Sequence, residues 1–209
     1  MQKKQIFLLP LFLILSIQPL FSNEKPVRSL LEIRQSNVVI QKWDLSCGAA
    51  VLTTLLKYQH GMDIDEKTVA KGLINRAEYI KDPELLKRRE GFSLLDLSRY
   101  SKKVGLKGKG LGYLSLDDLL PLAPVVVPIS ENGYDHFVIF RGKMNNRVLI
   151  ADPAWGNRTL SIKNFNKVWI QFPKLGHVGF VVINPKDSSN ISSTINQLKV
   201  TPADFTVLY

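Results

Sequence analysis

Gln41-Lys42-Trp43-Asp44-Leu45-Ser46-Cys47-Gly48-Ala49-Ala50 is the stretch on which the reading of this chain turns. It carries the only cysteine among 209 residues. After it, Ala49, Ala50, Leu52, Leu55, Leu56 and Tyr58 form an apolar, proline-free run that predicts a helix over residues 47–58. The thiol therefore stands where loop meets helix. Unsatisfied backbone N–H groups and the positive end of the helix dipole favour a thiolate there, so the expectation is a pKa drawn down toward neutrality. Gly48 is read as room for a substrate backbone. Gln41, six residues before the cysteine, offers a neutral amide that can donate to an oxyanion without protonating the thiolate. A lone cysteine is often only an inert core residue; these neighbours argue for chemistry.

A base and its orienting partner are sought in the second half. Gly133-Tyr134-Asp135-His136 leads into the apolar run Phe137-Val138-Ile139-Phe140, and Val148-Leu149-Ile150 ends at Ala151-Asp152-Pro153. Asn145-Asn146 between them reads as a hairpin turn, as does Glu131-Asn132-Gly133 before them. Antiparallel pairing can then set His136 beside Asp152, and an imidazole needs such a group to fix its tautomer. His177 also precedes an apolar strand and is the rival base, while His60 reads as a helix-end residue; neither is followed by an Asp-Pro pair at hairpin distance.

The remaining elements complete an α+β plan. Val38-Val39-Ile40 suggests a short strand, and Asp63-x-x-Glu66 suggests a capping box opening a helix to about residue 77. A charged, solvated helical turn or loop is expected over residues 84–90. Ser93-x-x-Asp96 opens a helix ending near Gly105, and Ser115 opens a short one before Pro121. Further strands are read at Val125-Val126-Val127 and Phe180-Val181-Val182-Ile183. Helices first and antiparallel strands second predict helices packed on an antiparallel sheet.

In these motifs the chain resembles the bacteriocin-processing, double-glycine leader peptidases, cysteine peptidase family 39 of the papain-like clan. The resemblance runs over residues 38–183 and rests on Gln41 with Cys47-Gly48-Ala49-Ala50, and on His136-Phe137-Val138-Ile139 with Asp152-Pro153 and Gly156. It implies a papain-like fold, Gln41 in the oxyanion hole, Cys47 as nucleophile, His136 as base then acid, and Asp152 as orienter. The substrate would be a protein or peptide, with no cofactor. Ser46 stands where many members carry an acid, and the best-known members are domains of peptide exporters acting on the cytoplasmic side. Two other readings use the same residues: a papain-like binding or assembly factor without turnover, and an acyl-transfer enzyme whose thioester is taken by an amine.

The bulk properties agree with one folded domain. Hydrophobic residues make up 45% of the chain and charged residues 22%, which is not a disordered composition. The formal charge is +10, yet no nucleic-acid motif and no phosphate-binding loop accompanies it, so neither nucleic acid nor nucleotide is expected as a partner. Lys3 and Lys4 followed by apolar residues 6–17, broken by Pro10, read as an export signal over residues 1–22. That run is short of the ~20 residues of a membrane span; membrane association is expected only if the segment stays uncleaved. The peptidase domain is expected over residues 23–185, in the periplasm or outside the cell, with residues 186–209 a tail of no assigned role.

Overall fold

The computed structural model describes residues 27–186. The expected signal segment and almost all of the tail lie outside them. In chain order the elements are α1 (Leu30–Arg34), α2 (Cys47–Thr54), α3 (Glu66–Ile74), α4 (Ala77–Lys81), α5 (Leu85–Arg88), α6 (Leu94–Lys103), β1 (Lys107–Leu111) and α7 (Leu116–Leu119). Then follow β2 (Val125–Glu131), β3 (Tyr134–Met144), β4 (Arg147–Asp152), β5 (Gly156–Ser161), α8 (Ile162–Val168), β6 (Gln171–Phe172), β7 (Gly176–His177) and β8 (Gly179–Ile183). The order of helices first and antiparallel sheet second is as expected.

Six strands form one antiparallel sheet in the order β1-β8-β2-β3-β4-β5, and β6 pairs with β7 in a small hairpin. Strand alternation divides the core in two. Val126, Ile139, Ala151, Phe180 and Val182 face the N-terminal helices. Val125, Val127, Ile129, Val138, Phe140 and Ile150 face α8 with Phe165 and Trp169. Helix α2 lies at the centre of the first core. Every residue from Cys47 to Thr54 is buried, and Thr53 and Thr54 return their hydroxyls to the Ala49 and Ala50 carbonyls. A wider π-type turn over Leu55–Gln59 ends the helix.

Several local expectations change. Val38-Val39-Ile40 is not a strand: its backbone is taken by Thr54 Oγ1, which accepts from Val39 N–H, while Gln41 N–H donates to the Pro153 carbonyl. The cap of α3 is Asp65, accepting from Thr68 N–H, and the helix ends at Ile74, with α4 separate. Glu66 is thereby freed to turn inward. The helices expected from Ser93 and Ser115 are present, and each is opened by a capping box. Strands β1 and β5 and helix α8 add to what the pattern suggested.

Candidate active site

Cys47 opens α2 and is 3% exposed. The loop before it is pinned from below. Glu66, buried in the first turn of α3, accepts from Lys42 N–H at 3.2 Å and contacts the Ser46 hydroxyl at 2.7 Å. A glutamate read from the sequence as part of a capping box is instead the floor of the loop before Cys47. Ser46 makes no side-chain cap on α2, which leaves the first N–H groups free. Those of Cys47 and Gly48, together with the Phe137 N–H of β3, face the sulfur and favour the thiolate.

Burial outweighs them. It pushes the Cys47 thiol above its ordinary value, and the Asp152 charge adds to the rise. The lowered thiol expected from the helix terminus alone is thus corrected, because the helix end is enclosed. The reading of Gly48 changes too. A Cβ there would stand 3.1 Å from the Phe92 Cβ and 3.4 Å from Leu97 Cδ1, so the glycine lets α2 seat against the segment leading into α6.

His136 stands near the start of β3, opposite Ile129 of β2, and is 7% exposed. Its Nε2 lies 3.5 Å from Oδ2 of Asp152, the last residue of β4, which is fully buried. Hairpin pairing of β3 with β4 brings the two together, as the spacing predicted. Neither ring nitrogen makes a hydrogen bond; Nε2 is turned to the carboxylate and Nδ1 away from it. Burial is the main influence on the ring and holds its pKa below the ordinary value; the neighbouring Asp152 charge acts against it. Both thiol and imidazole are therefore favoured in their neutral forms.

Asp152 is held on its other sides as well. Its Oδ1 accepts from Ala154 N–H at 2.8 Å and its Oδ2 from Arg158 Nε at 2.9 Å. Arg158, on β5, also pairs with Glu131 at the end of β2. Neither residue carried a recognisable motif, since each is linked to the site only by strand pairing. Gly156, noted after the Asp-Pro pair, has φ +84° and lies against α1: a Cβ would be 2.5 Å from the Arg34 carbonyl oxygen. Any side chain there is both strained and obstructed.

Gln41 reaches the same corner. Its Nε2 donates to the Trp43 carbonyl at 3.3 Å, and its side chain contacts the Tyr134 hydroxyl. Tyr134 in turn packs edge-on against His136, ring centroids 5.3 Å apart. Cys47 and His136 share the wall of a cleft of about 500 Å³, whose apolar lining includes Phe92, Phe137, Phe172 and Leu175 and whose rim carries Arg89, Glu90 and Asp135. His177, by contrast, stacks on Trp169 at 4.5 Å and its Nδ1 meets the Ile170 carbonyl at 3.3 Å. His60 Nε2 sits 3.2 Å from the Val182 carbonyl. The rival His177 and the helix-end His60 are thus both engaged away from Cys47.

The sequence model of the Peptidase C39 family matches residues 35–173. The chain belongs to that family. It is 41% identical over 155 residues to the "Probable functional amyloid protease FapD" of Pseudomonas fluorescens, a match covering 73% of this chain and 66% of that protein. The protein of the same name from Pseudomonas aeruginosa is 36% identical over 147 residues, covering 69% and 62%. The matched region thus spans under two thirds of the length of either relative.

Among solved structures, this C39 chain superposes on a double-glycine-motif protease from an AMS/PCAT transporter, crystallised with its leader peptide. The TM-score is 0.54 at 22% identity, over 70% of this chain and 89% of that one. The peptidase domain of Streptococcus ComA, a bifunctional ABC transporter of a quorum-sensing pathway, gives 0.54 at 18%, over 71% and 98%. The likeness is one of fold, and that fold is the papain-like α+β arrangement. Among the described residues no helix is long and apolar enough to cross a membrane.

Proposed function

We propose that this C39 chain is a cysteine peptidase in which Cys47 is the nucleophile, His136 the base and Asp152 its orienting partner. One observation carries the reading: His136 turns Nε2 toward buried Asp152, 3.5 Å away, and has Nδ1 unpartnered, on the same cleft wall as the thiol at the mouth of α2. Nδ1 takes the thiol proton as sulfur attacks the scissile carbonyl carbon. The oxyanion is met by backbone N–H at the start of α2 and by the Gln41 amide, once that amide leaves its resting contacts. Imidazolium then protonates the leaving amine as the C–N bond breaks, and water hydrolyses the Cys47 thioester.

The apolar cleft fits an extended, apolar segment of polypeptide leading to the scissile bond. The names of the FapD relatives suggest, as substrate class, a component of a functional amyloid. The charged start and short apolar run at residues 1–22 favour action in the periplasm or outside the cell, on exported substrates.

The test is intact-mass analysis of exported amyloid-forming candidates incubated with the wild type and with Cys47→Ala. Cleavage fragments with the wild type alone, together with a mass increase on Cys47 in rapidly quenched mixtures, are expected. Fragments of equal yield with Cys47→Ala would remove Cys47 from the chemistry. A Cys47 adduct transferred to an amine, with no hydrolysed product, would make the reaction acyl transfer.

A further inference from the structure

Asp152 serves two neighbours, the His136 ring and the Arg158 guanidinium. The oxygen that faces His136 also accepts from Arg158, with Nε at 2.9 Å and Nη2 at 2.8 Å. The far edge of the same guanidinium reaches Glu131, Nη1 lying 3.3 Å from Oε1 and Nη2 contacting Oε2. The four residues come from four strands: Glu131 from β2, His136 from β3, Asp152 from β4 and Arg158 from β5. Pairing sets His136 opposite Ile129, two residues before Glu131, and Arg158 opposite Ile150, two residues before Asp152. Ile129 and Ile150 face the α8 core, so alternation places all four side chains on that one face.

The cluster has a further sign of being built. Glu131, His136 and Asp152 each bring an oxygen or nitrogen within 4.8 Å of the others, a spacing that a small cation could bridge. The Arg158 guanidinium is already bound to both carboxylates and supplies that positive charge. A planar fork is suited to bridging two carboxylates, which a lysine ammonium does less well.

We propose that Arg158 and Glu131 form a charge clamp on the Asp152–His136 pair. Arg158 is a positioning residue: it fixes the carboxylate and draws off part of its attraction for the imidazolium. Glu131 draws on Arg158 from the other side and returns part of that attraction. The inference rests on the peptidase reading of Cys47 and His136, and it names what sets the basicity of the base.

The groups facing His136 are Glu131 from β2, Asp152 from β4, Arg158 from β5 beyond it, Tyr134 and Asp135 from its own strand, and Cys47 from α2. Burial is the strongest influence and lowers the ring's pKa. Asp152 raises it, Arg158 lowers it, and Glu131 and Asp135 raise it. Removing the two clamp charges must therefore move His136 in opposite directions. Loosened packing alone would not give opposite signs.

The experiment is an NMR titration of the three histidine rings in the full chain, with His136 assigned against His60→Gln and His177→Gln. Arg158→Met should raise the His136 pKa by about one unit, and Glu131→Gln should lower it by about half a unit. The double variant should fall between Arg158→Met and the wild type. Glu131 is partly exposed, so Glu131→Gln keeps the test in force if Arg158→Met fails to fold. A His136 titration unchanged in Glu131→Gln, or shifts of one sign in both single variants, overturns the clamp.

Iodoacetamide alkylation of Cys47 against pH, run on the same proteins, keeps the two readings apart. Wild-type kinetics that depend on His136, with both clamp variants titrating like the wild type, sink the clamp alone. Wild-type Cys47 that alkylates like a free thiol, with no effect of His136→Ala, sinks the peptidase reading itself.

Discussion

Asp152→Asn removes one charge beside His136 while keeping nearly the same shape. The Nε2 to Oδ2 separation is 3.5 Å, and unit charges at that distance attract by about 5 kcal/mol at an effective dielectric near 20. Arg158, 2.8 Å from the same oxygen, competes for that charge and roughly halves what the imidazolium gains. About 2–3 kcal/mol of transition-state stabilisation should then be lost, roughly 30- to 150-fold in kcat/KM. The amide has one acceptor oxygen where the carboxylate has two, yet Ala154 N–H, Arg158 and His136 all approach it. One contact is left poorly matched, at about 1–2 kcal/mol of stability.

Asp152→Ala should be worse on both counts, since it also releases the ring and leaves Arg158 with Glu131 alone. The assay is kcat/KM on one identified substrate by time-resolved mass spectrometry, with thermal unfolding in parallel. Asp152→Asn within threefold of the wild type, or Asp152→Ala more active than Asp152→Asn, would refute the orienting role.

Four further outcomes are expected. His136→Ala should abolish turnover, whereas His177→Ala should keep most of it and cost about 1 kcal/mol of stability through its lost stacking on Trp169; the opposite pattern in a turnover assay would make His177 the base. Because burial holds the His136 pKa below its ordinary value and the ring must be neutral to accept the thiol proton, kcat/KM should fall only below about pH 6.5; an acid limb at pH 7 or higher would contradict this. Gly156→Ala should lower stability by at least about 2 kcal/mol, from its positive φ and the Arg34 backbone beside it, as read by denaturant midpoints. Glu66→Gln should reduce kcat/KM about tenfold with a smaller effect on unfolding, because it weakens the tie to Lys42 N–H and Ser46 below the nucleophile loop; unchanged kinetics would show that the loop holds its form without that carboxylate.

What the sequence alone determined was local or periodic. The helix after Cys47, the caps at Ser93 and Ser115 and the apolar strands after residue 125 each follow from neighbouring residues, and each is present. The hairpin at Asn145-Asn146 was legible and sets β3 beside β4, but the register shift between Phe140 and Gly142, which no motif signalled, is what puts His136 and Asp152 on one face. Strand β1, with the sequence Lys-Gly-Lys-Gly-Leu, has no such signature and exists only through its pairing with β8.

Tertiary structure alone decided the charges and the enclosure. Arg158 and Glu131 meet at Asp152 because four strands stand side by side, and Glu66 meets the loop before Cys47 because α3 packs beside α2. The thiol's pKa rises although its helix terminus favours the thiolate, because desolvation depends on everything packed around the sulfur. Periodicity specifies which face of an element is buried; burial and long-range charge are sums over the whole fold, and no short stretch of chain contains them.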